Sequence, residues 1–356
     1  YEMTNSDWSS DVCSSDLAST SAANLNTIDG KTSVAVGATA ITALTGTAAD
    51  IKIALASSGI TTVIDSSLAV NVSGSTSVAD INIINSDSAT GIVTATATET
   101  AAATLIGLTT TGTDAITVTM AAASTAAADL NTIDGKTSVA VGATAITELT
   151  GNATDVKTAL ASSGITTVTN GSLAVTVSGS TSVADINTIN ADSATGIVTA
   201  TATETAAATL IGLTTTGTDA ITVTMAAAST AAADLNTIDG KTSVAVGATA
   251  ITELTGNATD VKTALASSGI TTVTNGSLAV TVSGSTSVAD INTINADSAT
   301  GIVTATVTSA AASVLKALQT DSNDAITMTV NAEASSAATT QASDLVSLNG
   351  KTNQVI

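Results

Sequence analysis

Carboxylates are the only reactive side chains this chain holds in number: 29 Asp and Glu face 8 Lys, with no His and no Arg. Tyr1, Trp8 and Cys13 are the sole residues of their kinds, and Phe and Pro are missing. Paired carboxylates can cleave a glycoside, and acidic side chains with Asn and backbone carbonyls can hold calcium, which takes about six to eight oxygens. Asp recurs at Asp129, Asp134, Asp155, Asp185, Asp192 and Asp219. The best local grouping is Asp321-Ser-Asn323-Asp324, which stands where other copies read Thr-Gly-Thr-Asp. Asp321, Asn323 and Asp324 are therefore the candidate metal ligands, with calcium as the ion. Neither an EF-hand loop nor the Gly-Gly-x-Gly-x-Asp calcium repeat is present. Asp155 and Asp185 read better as first-turn helix residues favoured by the helix dipole. Lys136 and Lys157 are too few and too regular to suggest a Schiff base. No catalysis is expected, because identical repeats offer a uniform surface rather than a varied pocket.

Composition narrows the classes further. Without His, Arg or usable Cys there is no imidazole base, thiolate nucleophile, zinc site or guanidinium clamp. The net charge of −21, the pI near 4.1 and the near-absence of aromatics exclude nucleic acid as a partner. An apolar fraction of 44% with mean hydropathy +0.45 is not the signature of disorder. Apolar runs such as Met120–Ala123 fall far short of the roughly 18 residues that span a bilayer.

The first seventeen residues, YEMTNSDWSSDVCSSDL, share nothing with the rest. Asp7–Leu17 resembles the translation of a common short-read sequencing adapter, and residues 1–17 are set aside as an unstructured artefact. Cys13 then says nothing about redox compartment. Without Glu2, Asp7, Asp11 and Asp16 the net charge becomes −17.

Residues 18–356 form one repeat array. NTIDGKTSVAVGATAIT begins at Asn26, Asn131 and Asn236, a period of 105, and residues 131–201 are identical to 236–306. The copies are 26–130, 131–235 and 236–340, with a partial copy over 341–356. The pattern is entered and left in mid-copy, so a fragment of a longer array is expected, with its true N-terminus upstream.

Four strand–helix units fit in each copy. Alternating apolar and Thr residues predict strands in Ser138–Thr147, Leu173–Ser178, Gly196–Thr203 and Ala220–Met225. Asn152 caps a predicted helix that runs through Val156, Ala159 and Leu160 and ends at Gly164. Thr205 is read as the cap of a second, and Ser182-Val-Ala-Asp185 as a capping box for a third. A fourth passes through Leu130 and Ile133. Strands joined by helices must run parallel with right-handed crossovers. The expected fold is α/β: a right-handed α/β solenoid of about 26-residue strand–helix coils with a parallel sheet. A β-helix, with the ADLNTID stretches as turns, or a β-sandwich array are the other readings. An antiparallel hairpin at Thr169-Asn170-Gly171-Ser172 would be the local exception.

The ADLNTID, TGIVTATATET and DAITVTM strings resemble Ala/Thr/Asp-rich tandem repeats of very large bacterial surface or secreted proteins, cyanobacterial ones among them. That resemblance implies an adhesin-like or calcium-binding protein at the cell surface or secreted from the cell. The expected function is a structural or adhesive spacer that meets glycan or extracellular matrix, with no cofactor beyond calcium, no membrane span, and neighbouring repeats of the same chain as partners. The alternatives are a calcium-dependent binding module or an ice-binding solenoid built on Thr-x-Thr rows such as Thr199, Thr201 and Thr203. The Thr row is interrupted at Ser138–Ala145, which favours a plain solvent face. Asn131, with Asn26, Asn187 and Asn236, reads as a ladder that satisfies backbone rather than a ligand site.

Overall fold

A computed structural model describes residues 19–62, 68–89, 91–167, 173–194, 196–272, 278–298, 301–332 and 340–356. The leading segment and the Thr169–Ser172 hairpin position lie outside the described residues. The fold is α/β, with short helices alternating with short strands. Two compact units are present, one running to Val175 and including Asp192–Gly196, the other comprising Thr176–Ala191 and Ile197–Ile356.

In the first unit the strands Ser19–Ser21, Ala43–Gly46, Ala69–Thr76, Val93–Ala97 and Ala115–Thr117 pair in that order, every pair parallel. In the second, Ser229–Ala231, Glu253–Gly256, Ala279–Thr286, Val303–Val307 and Ala325–Thr327 repeat the arrangement. Shorter parallel pairs form beside them, such as Val36–Ala38 with Ile60–Thr62 and Val246–Gly247 with Ile270–Thr271. Registers repeat with the sequence: Ala43 faces Ala69 as Glu253 faces Ala279.

Helices start at Ala22, Ala48, Val78, Ala102 and again at Ala127, so the spacing varies between 24 and 30 residues rather than holding at one value. The longest interval contains a bulge: register shifts between Asn71 and Ser75, and again between Thr281 and Ser285. Gly284, at φ +75°, supplies the backbone conformation that a side chain would resist there.

The cores follow directly from the alternation. Val303, Ala305 and Val307 point inward with Thr304 and Thr306 outward, as Val93 and Ala95 do in the first unit. Helix residues Leu130 and Ile133 in one unit and Ile291 and Ile294 in the other have no exposed surface. Val118 and Val223, one period apart, are each 1% exposed. Val, Leu, Ile and Ala dominate these layers among the described residues, each fully buried Val, Leu or Ile contributing about 1.5–3 kcal/mol. Successive strand–helix repeats share the same layer, so stability accumulates within each unit.

Several local expectations change. ADLNTID is helical, as Ala127–Asp134 and Ala232–Asp239, which removes the β-helix reading. Thr205 caps nothing: the helix is only Ala207–Leu210, its N-cap is Ala206, and no side chain caps it. Within Ser138–Thr147 only Val141–Gly142 is strand. The cause is Thr137, whose buried hydroxyl accepts the Val139 N–H at 3.0 Å, while the Ser138 N–H is drawn to the Asp114 carbonyl at 2.7 Å. Asn152 caps its helix as expected, accepting the Asp155 N–H at 3.0 Å. Ser182 accepts the Asp185 N–H at 3.1 Å.

Candidate functional site

Asp321, Asn323 and Asp324 share one turn. Asp324 is 4% exposed; one of its carboxylate oxygens accepts the Val303 N–H at 2.8 Å and the other the Asp321 N–H at 3.0 Å. Its equivalents do the same work. Asp114 accepts from Val93 and Thr111, and Asp219 from Val198 and Thr216, at 2.8–2.9 Å. A strand start and the turn after the short helix are thereby tied to one buried carboxylate. Asp321 turns inward on its own loop, accepting the Asn323 N–H at 2.7 Å and its side-chain amide at 3.3 Å. Among the described residues, no three His, Cys, Asp or Glu side chains are grouped to hold a metal ion.

A second set of polar groups stitches each helix to the next coil. Asn187 donates to the Gly212 carbonyl at 2.8 Å and accepts the Thr214 N–H at 2.8 Å. Asn82 and Asn292 make the same two-point contact. Asn26, Asn131 and Asn236 donate to the carbonyls of Asp50, Asp155 and Asp260 at 2.9–3.1 Å, while their amide oxygens are buried and unpartnered. Asp134 accepts the Ser162 hydroxyl at 2.9 Å, and Asp29 and Asp239 meet Ser57 and Ser267 alike.

Charged pairs also cross between coils: Lys52 with Asp80, Lys262 with Asp290, and Lys316 with Asp344 at 2.8 Å. These pairs span 28 residues, and nothing in a local reading of the sequence shows them. Another group missed in that reading is a carboxylate in trans to a helix start. Glu99 accepts the Val78 N–H and Glu204 the Val183 N–H, both at 2.9 Å, across 21 residues. Thr201 and Thr222 are exposed on their strands, and Thr203 and Thr224 are exposed just beyond the strand ends.

Hydrogen bonds hold three carboxyls below their ordinary range: Asp290 through Lys262 and then Ser287, Glu253 through Thr281 and then Ser229, and Asp344 through Lys316 and then the Gln341 backbone. A carboxyl with a lower pKa folded than unfolded stabilises the fold above its unfolded pKa and loses that contribution as pH falls through the folded value. The melting midpoint should therefore be flat near neutrality and fall from about pH 5 downward. Circular dichroism melts across that range, with Lys262→Met showing a shallower fall, check this.

No known protein family matches the chain, and no curated protein is significantly similar to it. No helix among the described residues is long and apolar enough to cross a membrane.

Proposed function

We propose that this chain is a repetitive spacer with a weakly adhesive surface, part of a secreted or cell-surface bacterial protein, and that it performs no catalysis. The coils wind right-handed, the hand that parallel strands joined by helices adopt in nearly all known cases. What supports the reading is the recurrence of the same polar role at the same place in each copy: Asp114, Asp219 and Asp324, or Asn82, Asn187 and Asn292. Many polar side chains join one strand–helix repeat to the next, and exposed Thr, Ser and Ala recur between them in step with the sequence period. Such an array suits glycan or matrix contacts that are individually poor and gain strength by multiplicity. The acidic excess keeps the surface soluble and resistant to self-association.

Variants with one, two and three 105-residue copies, assayed on glycan and matrix surfaces, test the reading. Retention should rise steeply with copy number, about 10-fold or more between one copy and three. Equal retention by one copy and three, abolished by one point substitution, would mean a discrete site instead. The same assay with calcium and with chelator separates a plain spacer from a calcium-dependent module at Asp321, Asn323 and Asp324.

A further inference from the structure

The second unit contains a cavity of about 520 Å³, lined by Val288, Asn292, Thr308, Ser309, Ala310, Val314 and Ala317 among others. It opens where the third copy departs from its siblings. Position 309 is Ser where the earlier copies have Glu99 and Glu204, and Ala310, Val314 and Ala317 replace the Thr205, Thr209 and Gly212 of the second copy. In those earlier copies the Glu carboxylate sits on the first helical N–H, that of Val78 or Val183, at 2.9 Å. Those two valines are 5% and 6% exposed, whereas Val288 is half-buried and Val314 is 51% exposed. A first-turn N–H has no partner within its own helix, and the helix dipole favours an anion there. The helix in question, Val288–Asp297, has 10 residues. The chain thus displays the ligand chemistry of this position twice over, a carboxylate on a methylene stem, and in the third copy removes it while lining the vacated space with methyl groups.

We propose that this cavity binds a short aliphatic carboxylate from outside the repeat, its carboxylate on the Val288 N–H and its hydrocarbon along Ala310, Val314 and Ala317. The nearby charges do not oppose it: Asp290 is engaged by Lys262 and Ser287, and Lys316 by Asp344. Asn292 is already committed to the Ala317 carbonyl and the Gln319 N–H, so it forms a fixed wall.

Titration calorimetry of the full chain with hexanoate, and with hexanol as the uncharged probe, tests the proposal. Hexanoate should bind with a Kd on the order of 1 mM or below, and hexanol at least about 10-fold more weakly. Ser309→Glu, which restores the siblings' internal carboxylate, should reduce hexanoate binding by about 10-fold or more and raise the melting midpoint. Val314→Thr, which restores only the siblings' polar wall, should weaken hexanoate severalfold while leaving the fold intact. Equal binding of hexanol and hexanoate, undiminished binding by a folded Ser309→Glu or Val314→Thr chain, or no hexanoate binding at all, would overturn it.

Discussion

Alanine at Asp324 should destabilise the chain by about 3 kcal/mol, and should do so equally with calcium or with chelator present. The side chain is 4% exposed and takes two backbone N–H groups, those of Val303 and Asp321. Removing it leaves both donors without an acceptor in a region with little water, at about 1–3 kcal/mol for each. Asp324→Asn keeps one acceptor but points an N–H₂ at a donor, so it should recover only part of the loss. Ser at Asp321 should cost much less, since that side chain is exposed and serves only its own turn. Chemical denaturation with and without about 5 mM calcium, above the roughly 1 mM upper end of extracellular-module affinities, separates the roles. A loss at Asp324 seen only when calcium is present would make it a ligand first and a buttress second.

Alanine at Gly301 should cost about as much for a different reason. A Cβ there would lie 2.0 Å from the Leu278 carbonyl oxygen and 3.3 Å from that of Ser298. The obstruction is backbone, so no rotamer change relieves it, and the turn or its neighbour must move. Overpacking of this kind typically costs about 1–3 kcal/mol, and the upper end applies where backbone must shift. Gly284→Ala is the control: its Cβ would meet nothing within 4 Å, and only the φ of +75° resists it. That change should cost about 1–2 kcal/mol. Because coils contact mainly their neighbours, hydrogen exchange should show faster opening around Leu278–Gly301 and little change in distant coils. Gly301→Ala with an unchanged melting midpoint would mean that the turn is not packed as described.

Elements announced by a single side chain were legible in the sequence. Asn152 and Ser182 identify helix starts because their side chains bond within the next three residues, inside any local window. The strands Val198–Ala202 and Ala220–Thr222 were equally plain, since Val, Ile and Ala alternate with Thr. Thr205 misled because its neighbours are Ala-rich, so the helix starts one residue later without a cap. Ser138–Thr147 misled because a buried hydroxyl, Thr137, redirects the backbone against an apparently regular alternation. The candidate ligands were legible as a recurrent position but not as a role. Asp324 bonds to Val303, 21 residues away, and that distance is set by the length of a coil rather than by any motif. The same holds for Lys52 with Asp80 and for Glu204 with Val183.

Small-angle scattering of chains carrying one, two and three copies bears most directly on the claim that the repeats form a stiff spacer. In the solenoid we propose, each copy adds four coils, and strands in a parallel ladder lie about 4.8 Å apart. The maximum dimension should therefore grow by about 19 Å for every added copy, in equal steps, with an unchanged cross-section. Growth of the radius of gyration only as about the 0.38 power of length, as for a compact globule, would contradict the account.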